Sequence, residues 1–320
     1  MSIFKKVFIF IIIILVLLPV SIFGYIHSKI NKVYDPSSSI KSLKETNYSS
    51  EKGITNILLV GTDARNAEEK SRSDAMMILT VDNKHKNLKL TSLARDTYVE
   101  IPGHGKQKLT HAYAYGGLNL LLETLESNFK IDIQNYVVVN FFSFINIIDT
   151  LNGIVVDVKP NEIQELNRYI PECYSFDHNK NKNPMKNIEY SGKQKLNGYQ
   201  SLAYSRIRYN DSALERDNRQ RLVLESAFEK AKHLPINKYP DLINSILPYV
   251  KTNMNTSDIL SIGNSILSMD NFNIKTLEFP IEEYSAGGIY KNAGWIWRYD
   301  EDKCLPILHD FIFNDKVYKK

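Results

Sequence analysis

Residues 7–26 form a long apolar stretch of twenty positions without a charged side chain. In a helix that rises about 1.5 Å per residue, this length spans roughly 30 Å, which is the thickness of a bilayer's hydrocarbon core. A cleaved signal peptide is the alternative, but the small residues near its end, Ser21 and Gly24, lie beside bulky Ile22 and Phe23. The pattern therefore predicts a transmembrane helix. Lysines occur on both sides of the span, so charge alone leaves its orientation open.

The segment 27–52 is polar, rich in serine and lysine and without hydrophobic periodicity, which is typical of a tether. Compact apolar runs at 54–60, 75–81 and 88–93 then predict strands, the first of which is buried. The sequence DNKHKN joins the last two runs as a turn, so we expect them to form an antiparallel pair.

Further along the chain, helical and strand-like patterns alternate. Helical spacing occurs at 117–129 and at 142–152, where Gly153 ends the helix, and apolar runs at 136–141 and 154–158 predict strands. Helices that alternate with strands need a sheet to pack against, and the antiparallel pair makes that sheet mixed. The predicted fold class is α/β, a three-layer α/β/α domain with a mixed central sheet.

The second half of the chain begins with a polar excursion, 161–197, which contains the run HNKNKN. A long helix follows at about 214–234 and stops before Pro235, and another helix is predicted at 255–268. The apolar run 274–279 predicts a strand. Trp295 and Trp297 near the end of the chain either contact sugar rings or pack in the interior.

Composition narrows the class of protein. A hydrophobic content of 43% and a charged content of 24% are those of an ordinary globular protein, and a net charge of +4 over 320 residues does not indicate a general binder of nucleic acid. Only two cysteines occur, Cys173 and Cys304, without the spacing of a zinc site. A disulfide between them stays open.

Five of the ten arginines lie within residues 206–221. On the predicted helix, Arg216, Arg219 and Gln220 share a face that continues into apolar residues, whereas Glu215 and Asp217 are expected on other faces. Buried guanidinium groups need a counter-charge, which is either a carboxylate of the protein or a phosphate of a ligand. The alternative is a solvated start of the helix with local ion pairs.

Other charged residues follow the predicted strands. Because ligands of open α/β sheets bind beyond the carboxyl ends of strands, Asp63, Asp74, Arg95 and Asp96 are expected at one rim. Carboxylates beside arginines suit Mg²⁺ on a phosphorylated substrate. In the alternative interpretation, each aspartate caps a turn or pairs with the neighbouring arginine.

These residues stand in motifs that resemble, in order and spacing, those of the LytR-CpsA-Psr family of cell-wall glycopolymer ligases. The resemblance covers about residues 53–232 and is carried by NILLVGTDAR, RSDAMMILTV, SLARDTYVEIPGHGKQKLTHAYAYGG, DTLNGIVVDV and YSRIRYND followed by ERDNRQR. It implies a cytoplasmic end (1–6), one membrane span (7–26), an extracytoplasmic tether (27–52) and a catalytic domain (53–232). Residues 233–320 would pack on the same domain.

The resemblance also implies a Mg²⁺-dependent phosphotransferase of the cell membrane in a Gram-positive type of envelope. It would move a glycopolymer, such as teichoic acid or capsule, from a polyprenyl pyrophosphate carrier to a sugar hydroxyl of peptidoglycan. Asp63 and Asp74 would bind Mg²⁺, or Mn²⁺, which favours the same oxygen ligands. The substrate-binding residues would be Arg72, Arg95, Lys108, Arg206, Arg208, Arg216, Arg219 and Gln220.

The carrier's isoprenoid tail needs an apolar slot. Helices 117–129 and 142–152 are candidates to line it, although a plain hydrophobic core predicts the same composition. The side chains in question are Leu120, Leu121, Phe141, Phe144 and Ile148.

One position departs from the family pattern. Many relatives have an acidic residue three positions before the arginine of R-x-x-R-Q, where this chain has Ala213. Asp211 or Asp96 is the alternative base for the acceptor hydroxyl, and with Arg95 they form the catalytic set. A hydrolase of lipid pyrophosphates and a non-catalytic carrier-binding protein are the competing functions.

Overall fold

The computed structural model describes residues 48–63, 72–179, 182–208, 213–235, 246, 250–269, 274–290 and 293–318. The predicted membrane span and nearly all of the predicted tether lie outside these residues. Within the described ranges, no helix combines the length and the apolar character needed to cross a bilayer.

Twelve strands are present in the described residues. They are β1 (Ile54–Thr62), β2 (Ser73–Asp82), β3 (Asn87–Leu93), β4 (Tyr98–Ile101), β5 (Gly105–Lys108), β6 (Asn135–Asn140), β7 (Ile154–Val158), β8 (Gly192–Leu196), β9 (Lys251–Thr252), β10 (Ile274–Phe279), β11 (Ser285–Tyr290) and β12 (Gly294–Tyr299). The α-helices described are α1 (Leu109–Phe129), α2 (Phe141–Thr150), α3 (Ile163–Ser175), α4 (Gly198–Arg206), α5 (Ala213–Lys232), α6 (Thr256–Leu267) and α7 (Glu301–Asn314).

Six strands form the central sheet in the order β10-β3-β2-β1-β6-β9. Strands β2 and β3 are antiparallel, as the hairpin pattern predicts, and β1 and β6 pair in parallel. Strand β10 pairs in parallel with β3, so the last third of the chain contributes to the same sheet. The predicted α/β fold with a mixed central sheet is confirmed.

Apolar side chains cover both faces of this sheet, which explains why β1 and β2 are nearly continuous apolar runs. One face packs against α1 and α7, through residues such as Leu58, Ile78, Leu121, Phe129, Leu308 and Phe311. The other face packs against α5 and α6, through residues such as Ile57, Leu79, Leu90, Leu224, Phe228 and Ile262.

A third hydrophobic cluster joins α2, α3 and α4 to the antiparallel β7–β8 hairpin. The sequence predicts an exposed excursion over 161–197, but residues 163–175 form helix α3. Leu166, Ile170 and Cys173 lie on its buried side with helical spacing, while the rest of its surface is polar. The helix was missed because the segment is polar on average and contains Pro171, although its few apolar residues recur with helical spacing.

Helix α4 approaches α2 so closely that only glycine fits at its first residue. A Cβ atom on Gly198 would lie 2.3 Å from the carbonyl oxygen of Ile145 and 2.8 Å from its Cα. This close contact sets the position of α4, which ends at Arg206 in the candidate site.

We expect Gly198→Ala to lower the free energy of unfolding by about 1–3 kcal/mol, because the added methyl group overpacks a backbone contact. Urea denaturation measures this change. The matched control is Gly263→Ala in α6, where an added Cβ meets no atom within 4 Å. That control should be neutral or stabilising by up to about 1 kcal/mol, since alanine favours helix over glycine. Equal effects of the two substitutions would contradict the close contact.

Candidate active site

The strand directions bring charged segments to one edge of the sheet. Strands β1, β3, β6 and β10 run parallel to one another, so their carboxyl ends meet at the same edge, together with the amino end of the antiparallel β2. A cavity of about 340 Å³ opens at this edge. It is lined by Asp63, Arg72, Asp74, Arg95, Phe141, Tyr169, Glu172, Phe176, Arg206 and Arg208.

Asp74 is the centre of the charge network. Its carboxylate accepts a hydrogen bond from Arg95 Nη1, and its Oδ2 lies 3.6 Å from Nη2 of both Arg208 and Arg216. Arg216 Nη2 also donates to the carbonyl oxygen of Asp74 at 3.2 Å. Guanidinium groups from three separate segments of the chain therefore converge on one carboxylate, beside a cavity that also holds the Arg206–Glu172 ion pair.

Asp63 is the residue that directly follows β1. Its Oδ1 accepts a hydrogen bond from the backbone N–H of Arg72 at 2.8 Å. This bond leaves the exposed guanidinium of Arg72 in the lining of the cavity. Asp63 thus contacts the backbone of Arg72, whereas Asp74 pairs with distant arginines instead of its neighbour.

Arg216 is the most buried of the arginines around Asp74, with 6% of its surface exposed. Burial lowers its pKa to about 10, and the nearby Asp74 carboxylate opposes that shift. The guanidinium therefore still carries its charge at neutral pH. A permanently charged, desolvated donor beside a cavity is suited to hold an anion.

Asp96 and Lys108 form a second row behind Arg95. Lys108 Nζ lies 2.9 Å from Asp96 Oδ1, and Arg95 Nε lies 3.5 Å from Asp96 Oδ2. The backbone carbonyl of Asp96 accepts a hydrogen bond from the N–H of Trp297 in β12 at 2.9 Å. The structure thus places Asp96 and Lys108 beside the site, and outside the lining of the cavity.

Arg206 is held by aromatic rings. Its guanidinium carbon lies 5.0 Å from the ring centre of Phe141, 5.4 Å from that of Tyr169 and 5.7 Å from that of Phe176. Its Nη2 donates to Glu172 at 3.1 Å. These contacts stabilise the charge and orient the fork at the end of α4. Tyr169, Glu172 and Phe176 lie in and after the helix that the sequence did not predict, so the aromatic wall was missed with it.

Cys173 is adjacent to this wall without being a nucleophile. Burial raises the pKa of its thiol to about 11, although it accepts a contact from Arg206 Nη1 at 3.4 Å. Cys304 is also buried and free, so the disulfide left open by the sequence does not form in this structure. A neutral thiol at physiological pH leaves the arginines and carboxylates as the chemistry of the cavity.

Arg219 and Gln220 are not part of the cavity lining. Arg219 faces inward, as the stripe on α5 predicts, with only 2% of its surface exposed. Its Nη1 donates to Glu162 at 3.1 Å, and its Nη2 donates to the carbonyl of Ile207 at 3.0 Å. The anion that Arg219 meets is thus a carboxylate of the protein. This pair ties α5 to the segment before α3 and to the residue after Arg206.

Asp211, the other predicted base, lies outside the described residues. In the described residues, the two helices named for the isoprenoid slot belong to separate hydrophobic clusters. Leu121 of α1 and Ile148 of α2 are fully buried in separate hydrophobic clusters, Leu120 packs on the first and Phe144 on the second. Of those five residues, Phe141 alone lines the cavity, so the plain-core interpretation is correct for Leu121 and Ile148.

Asp217 is a buried acid on a face of α5 other than that of the arginine stripe. Only 8% of its surface is exposed. The pKa of its carboxyl is raised to about 7, mainly by burial; Arg216 and Arg95 oppose this shift, and Glu278 and Asp96 contribute to it. Residues 213 and 217 are one helical turn apart, so the chain carries an acid one turn after the position where many relatives have one. This spacing of one turn is the sequence feature that could have pointed to Asp217.

We expect Asp217→Asn to change how stability depends on pH. An aspartate in the unfolded chain has a pKa of about 3.9. Asp217 therefore binds its proton more tightly in the folded state, and the wild type loses stability as pH rises towards 7. Between pH 5 and pH 8, urea denaturation should show the free energy of unfolding shifting in favour of the variant by about 2–3 kcal/mol. Asp302→Asn, at an exposed position of α7, is the control and should show no such trend.

The donor set of the cavity fits a hard divalent cation. Asp63 and Asp74 both line it, and the described residues contain no group of three or more histidine, cysteine or acidic side chains placed to bind a metal. Mg²⁺ usually takes only one or two protein carboxylates and completes its coordination with water and phosphate oxygens. Two carboxylates surrounded by guanidinium groups match that pattern, provided that a phosphorylated ligand is present.

Comparisons with known proteins agree on one family. The chain matches the LytR_cpsA_psr family over residues 20–309. It is 34% identical over 258 residues to the polyisoprenyl-teichoic acid–peptidoglycan teichoic acid transferase TagT of Bacillus subtilis (strain 168), with 79% of this chain and 75% of that protein covered.

Two solved structures are similar along most of their length. TagT bound to LI-WTA superposes with a TM-score of 0.66 at 28% identity, covering 86% of this chain and 98% of that one. The LytR-CPS2A-psr family protein YwtF (TagT) with bound octaprenyl pyrophosphate lipid superposes with a TM-score of 0.61 at 27% identity, covering 87% and 95%. The similarity therefore includes the sheet edge that carries the cavity.

Proposed function

This chain belongs to the LytR-CpsA-Psr family, and we propose that it is a membrane-anchored phosphotransferase. It would transfer a glycopolymer, such as teichoic acid or capsule, from a polyprenyl pyrophosphate carrier to peptidoglycan. The relatives support this activity by name, and one similar structure holds octaprenyl pyrophosphate. The observation that carries the proposal is the cavity itself, in which four arginines from three segments lie beside the carboxylates of Asp63, Asp74 and Glu172 at one edge of the sheet.

The proposed reaction follows from the charge of the substrate. The acceptor hydroxyl attacks the phosphorus that bears the glycopolymer, a new P–O bond forms, and the bond from this phosphorus to the bridging oxygen breaks. Polyprenyl phosphate leaves with the electron pair of that bond, and the hydroxyl proton passes to a base. The total charge on the phosphates changes little in this exchange. The charge must nevertheless be neutralised and the phosphates must be held in line throughout, and preorganised guanidinium groups do both.

Individual residues would take separate parts of this task. Arg72, Arg95 and Arg208 border the cavity and would bind the pyrophosphate oxygens, while Arg206 is oriented towards it by its aromatic wall. Arg216 would act from behind Asp74. Asp96 is the base candidate within the described residues, and Asp211 remains a sequence-based one.

Asp63 and Asp74 would hold Mg²⁺ or Mn²⁺, which supplies further positive charge to the phosphate oxygens when bound. The arginines that contact Asp74 have phosphate oxygens as alternative partners, so substrate binding would release this carboxylate for the metal. The proposed architecture places residues 1–6 in the cytoplasm, 7–26 in the membrane and 27–52 as a tether. The three-layer α/β/α domain would then lie outside the cell.

The test is a transfer assay with the full chain in detergent, a lipid-pyrophosphate-linked oligosaccharide, a peptidoglycan oligomer and Mg²⁺. We expect a glycan conjugate and release of polyprenyl phosphate, both abolished by EDTA and restored by Mg²⁺. Release without a conjugate would indicate a lipid-pyrophosphate hydrolase. Binding of the lipid without turnover would indicate a carrier-binding protein, and Ala213 would then be the first position to restore to an acid.

A further inference from the structure

A second cavity, larger than the first, lies at the other end of α2. Its volume is about 760 Å³, within the range of roughly 300–1,000 Å³ that small-molecule sites occupy. Its wall is formed by the end of α2, by the start of α4 and by polar residues within 177–179, 182–187 and 195. These polar residues have no part in the transfer reaction proposed above.

The side chains around this cavity are mainly amides and ammonium groups. Asn197 and Gln200 cap each other at the start of α4, whereas the exposed amides of Asn183 and Asn187 can donate to and accept from a ligand with hydroxyl groups on several sides. An apolar ligand would leave these groups without partners in the contact. The amide-bearing residues in the lining are Asn152, Asn179, Asn183, Asn187, Asn197 and Gln200.

The backbone of this wall is held in a fixed position by hydrogen bonds to side chains of two helices. The N–H of Lys186 donates to the hydroxyl of Tyr199 at 2.9 Å, and the carbonyl of Lys186 accepts from Gln200 Nε2 at 3.0 Å. Two residues later, Asn167 brackets Ile188 with a pair of hydrogen bonds, both of 2.8 Å. Asn187 lies between these two anchor points, so its position in the wall is set.

The carboxylates in the lining already serve the fold. Asp149 Oδ1 accepts from the N–H of Gly198 at 2.7 Å, and the buried Asp177 accepts from the N–H of Asn179 at 2.9 Å. Lys182 is likewise used, because its Nζ donates to the carbonyls of Tyr174 and Asp177.

Two lysines remain exposed at the opening of the cavity, Lys186 and Lys195. Lys195 Nζ donates to Asn152 Oδ1 at 3.0 Å, which orients one ammonium group beside the amides. Because Asp149 and Asp177 accept hydrogen bonds from backbone N–H groups, the charged side chains that remain for a ligand are the positive ones of the lysines. The chemistry therefore favours an anionic ligand that is rich in hydroxyl groups.

The two cavities are close enough for one polymer to contact both. Phe141 lines the first and Asp149 the second, and these residues are eight positions apart on α2, about 12 Å along its axis. Consecutive residues Phe176 and Asp177 also line one cavity each. A chain attached to a phosphate in the first cavity reaches the second within a few units.

From this arrangement we infer that the second cavity is a binding site for an anionic polyol-phosphate or acidic glycan chain, with Lys186 and Lys195 as its charged contacts. The inference rests on the proposed function for the identity of the chain, and it adds a polymer site to the pyrophosphate site. It explains why an irregular polar segment is held in place by so many side chains.

The test measures binding of a lipid-free poly(glycerol phosphate) oligomer to the full chain in detergent by calorimetry. We expect Lys186→Glu/Lys195→Glu to weaken binding by about tenfold or more, because like charges then face each other. The control, Lys251→Glu/Lys303→Glu, makes the same change in net charge at exposed positions outside both cavities and should bind within about twofold of wild type. Equal binding by the two double variants would overturn the inference. So would equally tight binding of a neutral N-acetylglucosamine oligomer.

This assay contains no carrier lipid, pyrophosphate or acceptor, so its failure and the failure of the transferase proposal can be told apart. A wild type that does not transfer, but binds the oligomer through these lysines, refutes only the activity. A wild type that transfers and does not bind the oligomer refutes only the second site. Lys186→Gln/Lys195→Gln, which removes charge without reversing it, should give a smaller loss and guards against misfolding.

Transfer kinetics then identify the source of the chain. If it belongs to the donor, the glutamate double variant raises KM for a lipid-linked polymer and leaves KM for a lipid-linked disaccharide unchanged. If both KM values stay at the wild-type level while the oligomer no longer binds, the chain is a polymer already present in the wall.

Discussion

Asp74→Asn is expected to reduce the rate of transfer by about 10²- to 10³-fold, which is the usual loss when a preorganised charged contact is removed from a phosphoryl or acyl transfer site. The substitution keeps the size of the side chain and removes its charge. Arg95, Arg208 and Arg216 then lose their common partner, and one of the two proposed metal ligands becomes a neutral amide.

The measurement is kcat and KM for the lipid-linked donor across a range of Mg²⁺ concentrations. We expect kcat to fall and the Mg²⁺ concentration at half-maximal rate to rise, because Asp63 alone would remain. Asp157→Asn in β7, an exposed aspartate outside the cavity, is the matched control. A rate within about twofold of wild type, in a variant with an unchanged near-ultraviolet circular dichroism spectrum, would contradict the role given to Asp74.

Arg219→Ala is expected to lower the free energy of unfolding by about 3–5 kcal/mol, because it leaves the Glu162 carboxylate buried without its counter-charge. Both side chains are almost fully buried, at 3% and 5% exposure, and their oxygen and nitrogen atoms lie 3.1 Å apart. Urea denaturation measures the change. Glu162→Ala should cost a similar amount, and the double variant Arg219→Met/Glu162→Leu should recover much of the loss, since no charge is then left unpaired.

Arg168→Ala is the control for this prediction. Arg168 pairs with Glu165 at 3.5 Å, but it is 66% exposed, so its loss should cost at most about 1 kcal/mol. If Arg219→Ala abolished transfer and left stability unchanged, Arg219 would be a pyrophosphate ligand as the family resemblance implies. The expected loss of stability would instead distinguish Arg219 from the arginines that line the cavity.

Parts of the candidate site were accessible from sequence because they depend on local order along the chain. Asp63 and Arg95 follow apolar runs that form parallel strands, whose carboxyl ends meet at one edge of the sheet. Asp74 precedes the apolar run of the antiparallel strand between them, so it lies at the same edge. The inward stripe of Arg216 and Arg219 followed from helical spacing alone. The choice of partners did not follow, because Arg219–Glu162 and Arg216–Asp74 join residues that are far apart in the chain.

The aromatic wall of Arg206 and the second cavity show the same limit. Both depend on helix α3, whose segment is polar on average and contains Pro171, so the sequence predicts an exposed excursion there. Helical spacing placed Asp217 on a face of α5 apart from the arginines but could not show that this face is buried, because packing of the whole helix settles which sides are covered.

Sequence by itself determined the α/β class, the hairpin β2–β3 and the family, since these rest on periodicity and on motifs read in order. Tertiary structure decided which arginines line the cavity, which one forms an ion pair with Glu162, and where the polar segment forms a wall. The physical reason is that periodicity is a local property, whereas ion pairing and cavity shape depend on contacts between segments that only folding brings together.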